Sequence, residues 1–159
     1  MNLTTCSNRL VSGLVEMLTW AARNGHLDEA DRLLAALHLM RPKFVELHAY
    51  DAWLLIRRNR MADAAQLLRQ LEGRELQVPF GPYVTALLAV CLSSLGDAGW
   101  RVYANEVLTR DEDAESVGLM NLLTGQRPKG EPLEKEAPGA SAATADLLRQ
   151  AMSFSYLRA

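Results

Sequence analysis

Three histidines, His26, His38 and His48, are the side chains of this chain that most readily suggest metal or acid–base chemistry. A zinc site such as HExxH needs several ligands at helical spacing, and none of the three histidines has a second ligand that would build one. His38 and His48 lie on either side of Pro42 and can approach each other, but two ligands do not make a metal site. The sequence therefore predicts structural histidines, with no metal and no cofactor.

An acidic run, Asp111-Glu112-Asp113, is followed closely by Glu115. Paired carboxylates can act as general acid and base in an active site. This run, however, stands in a polar connector between two predicted helices. We expect it to be a solvated connector that also caps the N-terminus of the second of those helices.

The only tight basic cluster is formed by Arg57, Arg58 and Arg60 at the end of a predicted helix. A grip on an acidic partner is one interpretation, and a solvated helix end is the favoured one. The chain also lacks the motifs GxGxxG, GxxxxGK[ST] and GxSxG. Because no nucleophile–base set and no metal set is found, the sequence predicts a protein that is not an enzyme.

Composition favours one domain of ordinary globular character. The 159 residues are 49% hydrophobic and 23% charged, with a net charge of -2, which gives no general attraction to nucleic acid. No apolar stretch suits membrane insertion, and the N-terminus does not read as a signal peptide. Cys6 and Cys91 are far apart, and Cys91 lies in an apolar run that favours a buried thiol. We expect a cytoplasmic protein, while export without a classical signal peptide stays open.

The elements that must position these residues are organised around a repeat. The stretch RNGHLDEADRLLAALHLM, residues 23–40, is matched by NRMADAAQLLRQL, residues 59–71. The match pairs Gly25 with Asn59 and Ala30 with Ala64, so the shift is 34 residues, from 30 to 64. This is the period of the tetratricopeptide helix-turn-helix repeat. A third, degenerate copy follows if three extra residues are allowed, with Gly96 in the place of Gly25.

The periodicity predicts an all-α, tetratricopeptide-like stack of about three antiparallel helix pairs, a capping helix and a C-terminal amphipathic helix. The helices are expected over residues 8–24, 28–40, 44–58, 62–71, 83–95, 100–108 and 114–124. Residues 1–126 form the helical domain and residues 127–141 a Pro/Gly-rich charged linker. Residues 142–159 form the last helix, which either docks on the domain or orders on a partner.

A stack of this kind has a concave face lined mainly by the first helix of each pair. Counted in the repeat frame, this face is mostly apolar and suits an amphipathic helix laid in lengthwise. An equally open alternative is that part of it, Trp53 and Ile56 above all, belongs to the core. The predicted partner-binding residues are Val15, Thr19, Ala22, Ala49, Trp53, Ile56, Tyr83, Ala86 and Val90.

Two segments carry a finer resemblance, DAWLLIRRNRMADAAQLLR at residues 51–69 and CLSSLGDAGW at residues 91–100. Together they resemble the Hrp-type (HrpB/HrpK-like) family of small tetratricopeptide-repeat proteins of bacterial type III secretion. Leu18 departs from the general repeat pattern, which expects a small residue there. The resemblance covers most of residues 10–125.

The resemblance implies a non-enzymatic accessory of the secretion apparatus. Related small repeat proteins act as cytoplasmic chaperones of needle or pilus subunits or of translocators, so the expected partner is a type III secretion component that offers an amphipathic helix. The alternative is a structural scaffold that associates with itself, as a homodimer, or with the secretion machine. Neither hypothesis involves nucleic acid or membrane insertion.

Overall fold

Seven α-helices make up the regular structure of the residues that the computed structural model describes, 7–77 and 80–125. Short turns separate most of them, and no strand occurs within these residues. The helices are α1 (Asn8–Arg23), α2 (Leu27–Met40), α3 (Leu47–Arg57), α4 (Met61–Glu72), α5 (Phe80–Ser94), α6 (Trp100–Arg110) and α7 (Ala114–Thr124).

The helices stack in chain order. The pairs α1–α2, α3–α4 and α5–α6 pack internally, α2 packs on α3, and α4 packs on α5. Helix α7 contacts both α5 and α6 and so caps the third pair. The predicted all-α stack of three pairs with a capping helix is confirmed, and its packing is consistent with a tetratricopeptide-like arrangement. The linker at 127–141 and the helix at 142–159 lie outside the described residues.

The same backbone turn ends the first helix of every pair. Its left-handed residue has a φ of 83° at Gly25, 61° at Asn59 and 74° at Gly96. In each case the next residue donates its N–H to a carbonyl five residues earlier, as in a Schellman motif. These bonds, all 2.9 Å long, are His26 N to Ala21 O, Arg60 N to Leu55 O and Asp97 N to Leu92 O. Asn59 and Gly96 therefore occupy the same turn position as Gly25, as the repeat match predicted.

Small residues are buried in the second helix of each pair. Ala30 in α2 and Ala64 in α4 have no exposed surface, and Ala104 in α6 is 1% exposed. Leu18, the departure from the repeat pattern, is also fully buried in the core. The larger side chain at this position is thus accommodated inside the first pair rather than at its surface.

Two helices begin three residues away from the predicted start. Helix α5 starts at Phe80 instead of residue 83, so Pro82 falls in the first turn. Proline is tolerated there because it lacks a backbone N–H, and the N–H groups of the first turn have no intrahelical acceptor. Helix α3 starts at Leu47 instead of residue 44. The residues before it form turns, and the buried Glu46 carboxylate accepts a hydrogen bond of 3.0 Å from the Gln77 N–H.

The acidic run supplies the predicted helix cap through Asp113, which is buried, while Asp111 and Glu112 are exposed as expected of a solvated connector. Asp113 is the N-cap of α7, and its carboxylate accepts a hydrogen bond of 2.8 Å from the Ser116 N–H. Asp111 ends α6 in a left-handed conformation. The run therefore joins two helices.

Candidate binding surfaces

The nine residues predicted to line a partner-binding face lie on α1, α3 and α5, as the repeat frame required. All nine are buried, and the most exposed of them, Thr19, is only 6% exposed. Its hydroxyl donates to the Val15 carbonyl at 2.8 Å, within its own helix. Trp53 and Ile56, at 1% and 2% exposure, have the burial that the core alternative expects. Binding of a partner by these positions stays a prediction.

An aromatic cluster that includes Tyr50 on α3 was not predicted from the sequence. Phe80 at the start of α5 makes edge-on contacts with Phe44 and Tyr50, each with ring centroids 6.2 Å apart. Burial raises the pKa of the Tyr50 hydroxyl. The cluster ties α5 to the turn before α3, so it is packing that spans the second and third pairs.

The arginine cluster is used within the chain. Arg57 donates to the Ala22 carbonyl at 2.8 Å, which links α3 to the end of α1. Arg58 bonds to Asp28, at 2.8 Å, and to Asp31 on α2. Its hydrogen bond and its charge lower the pKa of Asp28. Arg58 is thus engaged with α2, which favours a structural role over a grip on an acidic partner.

The outer side of α1 carries an exposed apolar stripe, which the sequence analysis did not identify as a site. Trp20, Met17 and Leu10 are 63%, 58% and 49% exposed. Gly13 falls between them, and a Cβ atom added there would meet nothing within 4 Å. The spacing of residues 10, 13, 17 and 20 is three, four and three, the pattern of a coiled-coil seam. The helical spacing of Leu10, Met17 and Trp20 was the feature of the sequence from which this stripe could have been predicted.

Two histidines and one aspartate meet between α2 and α3. The Asp51 Oδ2 atom lies 2.8 Å from His38 Nε2 and 3.0 Å from His48 Nδ1. The two imidazole centroids are 4.9 Å apart. The approach of His38 and His48 was anticipated, and Asp51 was missed, although its spacing of three residues from His48 puts both on one face of a helix. His26 lies elsewhere and stacks on Trp20.

The described residues form an all-α stack of helix pairs, with an exposed apolar stripe on α1 and a cluster of His38, His48 and Asp51 between α2 and α3. Residues 1–129 match the family model described as bacterial type III secretion protein (HrpB1_HrpK). The chain belongs to this family of type III secretion proteins. The comparisons found no match among curated proteins and none among solved structures. In the described part of the chain, no helix combines the length and the apolar character needed to cross a bilayer.

Proposed function

We propose that this chain is a non-enzymatic accessory protein of the type III secretion apparatus that holds an amphipathic helix of an export subunit, as a chaperone or assembly factor. The observation that carries the proposal is the exposed stripe Leu10–Gly13–Met17–Trp20 on α1. Membership of the type III secretion family supports the choice of partner. A needle, pilus or translocator subunit kept apart before assembly has an apolar helix face that must be covered.

The stripe has the dimensions and chemistry of a helix-docking seam. From residue 10 to residue 20 it extends about 15 Å along α1, which is nearly three turns. Large side chains at the ends and a glycine between them let a partner backbone come close at the centre. Isolated exposed apolar residues are ordinary, but four aligned positions on one helix face form a continuous patch.

The nine buried positions on α1, α3 and α5 are the second surface on which the proposal draws. Because these positions are buried, a partner helix can contact them only if the helices that cover them move apart. Trp53→Ala is an unsuitable test of binding, because truncating a buried tryptophan costs about 3–5 kcal/mol of stability. The test therefore belongs on the exposed stripe, where a substitution leaves the core intact.

The experiment is affinity purification of the tagged chain from cells with induced secretion, followed by mass spectrometry. The double variant Met17→Glu/Trp20→Glu places two charges on the stripe. The matched control is Val102→Glu on α6, because Val102 is also an exposed apolar residue, at 70% exposure. We expect one secretion subunit in near-equal amount with the unaltered chain and the control, and its loss in the double variant. Undiminished recovery with the double variant would refute docking on α1.

The same stripe favours a second candidate function, a structural scaffold that associates with itself. A seam of this kind on one chain also suits the seam of a second copy. In that case light scattering of the purified chain gives a homodimer, Met17→Glu/Trp20→Glu gives a monomer, and no export subunit is recovered. Cell fractionation separates the candidates further, because a chaperone that acts before export is expected in the cytoplasm.

A further inference from the structure

We propose that His38, His48 and Asp51 form a binding site for a divalent transition-metal ion with the preferences of zinc. The three side chains present two imidazole nitrogens and one carboxylate oxygen, all within 4.8 Å of one another. The inference is independent of the proposed function, because the cluster lies between α2 and α3 and shares no residue with the stripe on α1.

The donor set fits the ion. Imidazole nitrogens and a carboxylate are ordinary zinc ligands, and three protein ligands with a water molecule in the fourth position are a common arrangement. His38 presents Nε2 and His48 presents Nδ1 to the same carboxylate oxygen. Each neutral imidazole has one nitrogen free of hydrogen, so a change of tautomer frees these two nitrogens for the metal without net loss of a proton.

The geometry needs only small adjustments. A tetrahedral ion with bonds of about 2.0–2.2 Å spaces its ligand atoms by roughly 3.3–3.6 Å. The two nitrogen–oxygen distances of 2.8 and 3.0 Å are slightly shorter. Side-chain rotations that lengthen both of these distances, while the two nitrogens stay within the 4.8 Å that spans the three ligand atoms, open the space for the ion. The side chains of His38, Asp51 and His48 are 29%, 31% and 47% exposed, which gives an entry path and room for water.

The position gives metal binding a structural consequence. His38 is in the last part of α2, the second helix of the first pair, whereas His48 and Asp51 are in α3, the first helix of the second pair. An ion at this point cross-links the two pairs across the connector that contains Pro42. Since it binds the folded arrangement and not the separated helices, it stabilises the stack.

The test is isothermal titration calorimetry of the full chain with zinc chloride after chelator treatment, in a Cys6→Ser background that removes one competing thiol. We expect one ion per chain, with a Kd on the order of 10 µM or lower. Asp51→Asn, His38→Ala and His48→Ala should each weaken binding at least about tenfold. His26→Ala is the matched control, because it removes the third histidine at a different place, and it should leave Kd within about twofold.

Two further readouts keep the outcome unambiguous. Far-UV circular dichroism checks that each variant stays folded. If Asp51→Asn unfolds the chain, the binding test relies on His48→Ala, because His48 is the most exposed of the three ligands. Cobalt(II) should give the visible bands of a four- or five-coordinate ion in the unaltered chain and lose them in His48→Ala. Absence of saturable one-to-one binding, unchanged binding in the three variants, or equal loss in His26→Ala would each overturn the proposal.

Discussion

Ala64 and Ala62 are two alanines of α4 in opposite environments, since Ala64 has no exposed surface and Ala62 is exposed. Ala64→Leu forces three additional carbon atoms into the packed centre of the second pair, so it should lower the free energy of unfolding by about 1–3 kcal/mol. Ala62→Leu makes the same chemical change at the surface and should stay within about 0.5 kcal/mol. Urea denaturation followed by circular dichroism measures both. Equal effects would mean that close helix approach at Ala64 does not depend on a small residue.

Cys91 is buried in α5, and burial raises the pKa of its thiol from 9.0 to about 12. Because the thiolate is the reactive form, the folded chain should react with a thiol reagent at about pH 8 at least 100-fold more slowly than the urea-unfolded chain. A Cys6→Ser background leaves one thiol to follow. The unfolded thiol ionises at lower pH than the folded one, so this residue's contribution to stability is complete below pH 9.0 and is lost as pH rises towards 12. Labelling of the native chain at the unfolded rate would contradict this burial.

At the scale of the element, two glycines of the first pair should respond to alanine with opposite signs. Gly13 lies inside α1 with open space around a Cβ, whereas Gly25 ends the helix at a φ of 83°. Gly13→Ala should stabilise the chain by about 0.5–1 kcal/mol, because alanine loses less backbone entropy in a helix. Gly25→Ala should destabilise it by roughly 1–2 kcal/mol, because alanine is strained in the left-handed region. Thermal unfolding of the two variants side by side measures both signs. Destabilisation by Gly13→Ala would mean that the outer side of α1 is covered.

The elements that could be predicted from the sequence are those defined by neighbouring residues. Asn59 could be matched with Gly25, and the acidic run at 111–113 recognised as a source of a helix cap, because a few adjacent residues determine a turn or a cap. The hydrogen bond from Gln77 to Glu46 joins positions 31 residues apart, and no local pattern announces it. Asp51 lies three residues from His48, which is a local signal, but its contact with His38 comes from the neighbouring helix α2, and no local pattern announces that contact.

The burial of the predicted partner face has a different cause. The repeat frame placed Trp53 and Ile56 on one side of α3, but apolar residues on a helix face do not reveal what covers them. Exposure is a property of the assembled stack. On α1 the opposite occurs. Met17 and Trp20 are hydrophobic and would be expected in the core from their residue types alone, yet both are exposed.

At the scale of the whole molecule, the buried hydrophobic residues within the described ranges form one cluster from Val11 in α1 to Met120 in α7. A single helix pair cannot bury its apolar face alone, so neighbouring pairs depend on one another for stability. With only three pairs and a capping helix, we expect the described stack to unfold as one cooperative unit. Separate transitions would be expected only if the contacts between pairs were weak.

A single-tryptophan chain tests this cooperativity. The sequence has three tryptophans, and the double variant Trp20→Phe/Trp100→Phe keeps one of them, Trp53, which is buried in the central pair. Its fluorescence and the far-UV circular dichroism should give coincident urea unfolding curves. Met120→Ala in α7 should shift both curves together, because it removes about 2–5 kcal/mol of packing at the far end of the stack. Leu122→Ala, on the same helix at an exposed position, is the matched control and should shift them little. If α7 and the third pair unfold first, Met120→Ala moves the dichroism curve and leaves the Trp53 curve in place, and the stack is then a series of weakly coupled pairs.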